Sequence, residues 1–257
     1  MTILGSGTST GVPVIGCACA VCTSPDPRDQ RLRASLLITV PSGEHLVIDT
    51  GPDFRTQMLK AGVRKLEHVL YTHTHADHCH GFDDLRAFYF RDHRSVTCFA
   101  ATRHALELRQ KFAYVFHDTG YIGTKPQVTL SEFDLEPFRV LGLEIEPAYA
   151  VHGNVQSAVF RFGRFAYATD FKLFSPSLIA RWRGKIDTMV ASGIRYGEHP
   201  THSCIQETTA LMAALQVKTG YITHISHEIM HARDEADLPE GIHLGYDGLR
   251  FGVELGP

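Results

Sequence analysis

No apolar run in the 257 residues approaches the ~18 that a membrane-spanning helix needs, so no segment reads as a membrane span. The first residues, Met1 to Gly7, lack both the basic start and the long apolar centre of a secretory signal, and the expected location is the cytoplasm. A charge excess of one sign is missing too. Lys and Arg number 25 against 28 Asp and Glu, a net of −3, which argues against a polyanion-coating protein. There is no repeat, low-complexity tract or linker, so residues 1–257 read as one domain. A chain that is 44% hydrophobic and 21% charged can bury a sizeable core, which excludes a disordered chain and a disulfide-stapled mini-fold.

What the chain has in excess is histidine, 16 in all. Its placement depends on the surrounding elements. Ala34 to Val40 is an apolar run that turns at Pro41-Ser42-Gly43 and returns over His45 to Asp49, a hairpin pattern. A helix is expected after Pro52, with Phe54, Met58 and Leu59 inward and Gly62 as its stop. Val69 to Tyr71 and Val96 to Ala100 read as strands. Residues 103–114 read as a helix with Leu106, Phe112 and Ala113 inward. Further on, Gly163-Arg164 joins strands Ala158 to Phe162 and Phe165 to Thr169. Ile186 to Ala191 and Tyr221 to Thr223 are strands. Ser203 and Gln206 suggest a capping box for a helix to Gln216. Asp247-Gly248 suggests a last hairpin. Strands followed by helices, twice over, predict two packed sheets with helices outside.

The strongest pattern is Thr72-His73-Thr74-His75-Ala76-Asp77-His78. Residues i and i+2 of extended chain point the same way, so His73 and His75 can grip one ion just past a strand end. Asp77 and His78 are adjacent and can both contribute only if the backbone turns, as at a helix start, toward a second ion. Imidazole with carboxylate suits zinc, manganese or iron.

A second cluster is Cys17-Ala18-Cys19-Ala20-Val21-Cys22. Three thiolates so close favour a tetrahedral zinc completed by one distant ligand, with a redox pair or a buried small-residue loop as the other readings. Cys79, Cys98 and Cys204 read as ordinary thiols, and His80 as solvated or as a support behind the ligands rather than catalytic.

His73-x-His75-x-Asp77-His78 resembles the signature of the metallo-β-lactamase superfamily. The resemblance implies an α/β fold of αββα type, two mixed sheets flanked by helices, with two divalent metals (manganese or zinc) at the edge between the sheets. It implies His152 as the third histidine on the first metal, Asp170 as the bridging aspartate and His224 as the last histidine on the second metal. It implies Asp49 as a buttress behind the ligands. The cysteine loop narrows the likeness to the branch that holds the phosphonate-pathway cyclic phosphodiesterases, which implies a structural zinc on Cys17, Cys19, Cys22 and His227. Gly5 to Pro13 also resembles that branch, whereas Ser192-Gly193-Ile194-Arg195 departs from the Ser-His-Pro-Pro run of the phosphonate enzyme.

The expected function is metal-dependent hydrolysis of a small phosphodiester, such as a cyclic ribose phosphate or a nucleotide. Two divalent cations outweigh the carboxylates of Asp77 and Asp170, and a positive centre attracts an anion. A leaving alkoxide needs a proton, and the family position of the general acid falls on His202, with His199 in reserve. A ribonuclease Z-like endonuclease and a non-catalytic metal- or nucleotide-binding module are the alternatives. No membrane contact and no stable nucleic-acid complex are expected, while a homodimer is the default assembly.

Overall fold

The computed structural model describes residues 1–118, 120 and 123–255. In the first sheet, β1 (Thr2–Gly5) lies antiparallel to β2 (Ser35–Thr39), which turns back into β3 (His45–Ile48). Beside it, β4 (His68–Leu70), β5 (Val96–Ala101) and β6 (Val128–Phe133) add parallel strands in sequential order. The second sheet repeats this plan. In it β7 (Phe138–Val140), β8 (Leu143–His152), β9 (Val155–Phe162) and β10 (Phe165–Ala168) meander antiparallel. They are followed by parallel β11 (Thr188–Ser192), β12 (Thr219–Thr223) and β13 (Ile242–Leu244). The Gly163-Arg164 hairpin forms as predicted: Phe162 pairs with Phe165, and Gly163 takes the positive φ of 55° that a two-residue turn requires.

Helices cover both outer faces. On the first sheet sit α1 (Phe54–Ala61), α2 (Ala76–Cys79), α3 (Arg86–Asp92), α4 (Thr102–Lys111) and α5 (Ala113–Phe116). On the second sit α6 (Pro176–Trp182) and α7 (Ile205–Leu215), with α8 (His231–Asp234) near the chain's end. Strand alternation builds the layers. In β10, Phe165 and Tyr167 face the other sheet, while Ala166 and Ala168 give the helices a flat seat. Because both faces are buried, the run carries no charged residue. Trp182 is fully buried and its Nε1 donates to Glu146 Oε1 at 2.9 Å. Truncating such a side chain costs about 3–5 kcal/mol. Among the described residues, no helix is long and apolar enough to cross a membrane.

Four local expectations are corrected. Leu59 and Leu106 are 65% and 55% exposed, because Met58 and Leu108 take the inward phase of their helices. The helix predicted over 103–114 ends at Lys111, where Phe112 leaves helical backbone (ψ 40°) to bury its ring. The cap of α7 lies one residue later than predicted. Ser203 still belongs to the incoming strand-like chain, donating its N–H to Phe171, so Cys204 is the N-cap and its N–H is taken by Glu207. Asp247-Gly248 forms the predicted turn, closed by Leu249 N donating to Tyr246 O, but its flanks do not pair into a hairpin. The chain there pairs with β1, through Gly248 N to Ile3 O and Ile3 N to Leu249 O.

Candidate metal centre

The parallel strands bring their C-terminal ends to one edge, the usual place for a site in such sheets. Asp49 follows β3, residues 71–78 follow β4, and His152 ends β8. Asp170 lies just past β10, and His224 follows β12. Asp49, Asp170 and His224 all have left-handed backbone, with φ of 64°, 53° and 56°. That conformation is uncommon outside glycine and gathers at functional sites.

The donor atoms fall into two groups joined by one carboxylate. His73, His75 and His152 bring ring nitrogens within 4.8 Å of one another, and Asp77, His78, Asp170 and His224 form a second such group. Asp170 turns Oδ1 toward His152 Nε2 at 3.7 Å. Its Oδ2 lies 3.0 Å from His78 Nε2 and 3.3 Å from His224 Nε2. The backbone turn required of Asp77 and His78 is present: His75, in extended conformation, precedes α2, and both side chains sit in its single turn.

Of the inward nitrogens, His152 Nε2 and His75 Nδ1 lie 3.3 Å from each other. The others, His73 Nε2, His78 Nε2 and His224 Nε2, are buried without a hydrogen-bond partner among the described residues. Leaving such atoms unsatisfied is costly. From behind, the rings are held well. His78 Nδ1 meets Asp49 Oδ2 at 2.7 Å, His152 Nδ1 meets the Thr201 carbonyl at 2.9 Å, and His73 Nδ1 meets Thr72 Oγ1 at 3.0 Å. Imidazoles braced on one nitrogen and converging on the other fit divalent cations. Charge agrees. Burial opposes a charged His78, but Asp170, Asp77 and Asp49 outweigh it and hold its proton far above the ordinary imidazole range. A cation between these groups would take that proton's place. Burial likewise opposes charged Asp77 and Asp170, yet His78 and His224 keep both well below the carboxylate range. His73 and His75 are pushed down, first by burial and then by neighbouring histidines, which keeps them neutral as ligands must be.

His202 stands at the same edge. Its Nδ1 is 3.4 Å from Asp170 Oδ1, and its ring stacks on His224 with centroids 4.9 Å apart. Burial pushes it down to about 3, against the pull of Asp170. His199 serves the loop instead: its Nδ1 accepts from the backbone N–H groups of Thr201 and His202. His80 is exposed against Phe112, outside both groups.

The cysteine loop meets His227 as the resemblance implied. Cys17, Cys19 and Cys22 place their sulfurs 3.4, 3.4 and 3.6 Å from His227 Nδ1, and all six cysteines are free thiols. The Cys22 backbone N–H and His227 pull Cys19 down to about 6, while burial lifts Cys22 to about 11. Three sulfurs and one nitrogen around a point fit a tetrahedral zinc. His224 and His227 lie on one loop, which the Gly5 to Pro13 segment pins: Ile225 N donates to Ser6 O, and Thr8 N to Ile225 O. That segment therefore braces the loop.

Sequence reading did not single out Thr72 or Thr201. Thr72 donates N–H and hydroxyl to the two oxygens of Asp49, at 2.8 and 2.7 Å, and so orients the carboxylate behind His78. Its only sequence signal is its place immediately before His73.

This fold with this edge site defines a metal-dependent hydrolase, and the chain belongs to the β-lactamase superfamily: a family model described as a beta-lactamase superfamily domain matches residues 44–225. Within it the chain falls in a PhnP-like branch, being 37% identical to a solved diphosphatase of the PhnP family, with a TM-score of 0.91 over 99% of this chain and 97% of that one. A curated octanoyltransferase from Porphyromonas gingivalis is 38% identical over 250 residues, 96% of this chain and 50% of that protein. The chain thus spans about half the length of that relative. The fold is shared by Zn(2+)-bound PqqB from Methylobacterium extorquens (18% identity, TM-score 0.76, 98% and 99% covered). It is shared also by the short form of human tRNase Z (14%, 0.65, 98% of each chain).

Proposed function

We propose that the protein hydrolyses a small phosphodiester, with a cyclic ribose phosphate or a nucleotide as first candidates, at a centre of two divalent metals. The observation that carries this reading is Asp170, whose two oxygens face two separate histidine groups. His73, His75 and His152 would hold one ion, and Asp77, His78 and His224 the other, with Asp170 between them. Manganese or zinc suits that donor set, and Cys17, Cys19, Cys22 and His227 would hold a structural zinc. When bound, the ions of the edge site supply Lewis acidity toward phosphoryl oxygens and acidify water.

The chain's own groups do the rest. Asp49, Thr72 and the Thr201 carbonyl fix ring orientation. Asp170 and Asp77 stay anionic and balance the cations. Water oxygen would form the new bond to phosphorus and lose a proton to solvent, the bond to the leaving oxygen would break, and protonated His202 would hand that oxygen a proton. An anionic substrate beside His202 opposes the burial that disfavours its protonated form. The PhnP-family relative, a diphosphatase, makes a phosphoric anhydride the second substrate to try.

The test is a turnover screen with Mn²⁺ or Zn²⁺ against bis-p-nitrophenyl phosphate, cyclic nucleotides, a cyclic phosphoribose and a nucleoside diphosphate sugar. Cleavage of a P–O bond that stops on chelation and returns with metal is expected. A metal-replete protein that cleaves none of them would overturn the proposal.

A further inference from the structure

Thr74 separates His73 from His75, and one helix grips it twice. Its hydroxyl donates to Glu107, and its carbonyl accepts from Lys111 Nζ at 2.7 Å. Thr74 is only 4% exposed, so both contacts end on a buried residue, one on its hydroxyl and one on its backbone carbonyl. Residues 104, 107 and 111 lie three and four apart and so share one face of α4. On that face His104 Nε2 also reaches the carbonyl of Gln156 at 2.8 Å. Gln156 is paired with Val151 in the β8–β9 ladder, next to His152. A single helix face therefore touches the segment that carries two imidazoles of the first group and the strand paired with the one that carries the third. The apolar residues Ala105 and Leu108 seat the same helix in the core, which makes it a rigid support.

We propose that Glu107 and Lys111 are positioning residues, acting through Thr74 to set the angle between the His73 and His75 rings. The proposal rests on the metal-centre reading given above. With one residue between two ligands, any rotation about the Thr74 backbone swings both rings. Metal sites tolerate only about 0.5 Å and 10–20° of error. A hydroxyl held on one side and a carbonyl on the other leave that peptide no freedom to turn. The helix contributes no atom to the centre itself, so its role is visible in metal affinity before it is visible in chemistry.

The experiment compares the wild-type chain with Glu107→Ala, Glu107→Gln, Lys111→Ala and Thr74→Val. Mn²⁺ and Zn²⁺ binding are titrated calorimetrically, bound metal is counted, and thermal unfolding is followed in chelator. The expected result is a loss of about 10–100-fold in affinity for one of the two edge-site ions in the Ala and Val variants. Metal on the cysteine site is retained, and kcat recovers at saturating metal. Glu107→Gln keeps an acceptor for the hydroxyl and restores most of the affinity. Wild-type affinities throughout, or a drop in unfolding temperature with metal binding unchanged, would overturn the positioning role. A wild-type chain that takes up no edge-site metal would overturn the centre itself, and the clamp with it.

Discussion

Asp49 Oδ2 lies 2.7 Å from His78 Nδ1, so a carboxylate at the end of one strand aims a ring on the helical turn that follows the next strand. Thr72 holds the same carboxylate from the other side. Asp49→Asn keeps the size and tolerates the left-handed backbone but removes the charge behind the ring. We expect about 10–100-fold weaker binding of one edge-site ion, measured by titration and metal counting. Unchanged affinity would show that Asp49 only fills a turn.

As the proposed proton donor, His202 should distinguish substrates by their leaving group. His202→Ala is expected to slow substrates with alkoxide leaving groups about 10²–10⁴-fold, while p-nitrophenolate, which leaves without a proton, changes little. Equal losses on both substrate types would remove His202 as the proton donor.

The cysteine site should matter to stability more than to chemistry. Cys22→Ser is expected to lose the bound zinc and to lower the unfolding temperature by on the order of 10 °C, as the loss of a structural metal does. Because His224 lies three residues from His227 on a braced loop, edge-site affinity should weaken as well. Full zinc content in this variant would contradict the assignment.

A separate pH effect comes from Asp247, which ties the end of the chain to its start. Its oxygens accept from the backbone and hydroxyl of Ser6 and from Leu32 N. Burial raises its pKa to about 6, against those bonds. A carboxyl raised in the folded state favours the fold while protonated, so this contribution is full below the ordinary range near pH 4. It is lost as pH rises through 6. The difference in unfolding temperature between wild type and Asp247→Asn, scanned from pH 4 to 7, should therefore shift against the wild type with rising pH. A flat difference would refute it.

His73, His75, Asp77 and His78 were legible because they crowd just past a strand end, where two-residue alternation and sudden polarity are visible in one dimension, whereas His152, Asp170, His224 and His227 were reached only through the family resemblance. The flanking helices were less so. Leu59 and Leu106 look as apolar as Met58 and Leu108, and only the packed sheet decides which phase points inward. The braces escaped for a different reason. The Thr201 carbonyl on His152, like the Lys111 ammonium on the Thr74 carbonyl, joins a side chain to backbone far away in sequence, and no residue type announces that. The cap at Cys204 was missed by one position because Ser203 spends its N–H on Phe171.

The left-handed corners at Asp49, Asp170 and His224 limit which amino acids those positions accept. A β-branched or bulky replacement meets a backbone clash before any loss of charge or coordination is felt. Asparagine and glycine pass the steric filter and leave the chemistry as the only variable. At these three corners, geometry and reactivity thus select from the same short alphabet, and an alanine scan would confound them.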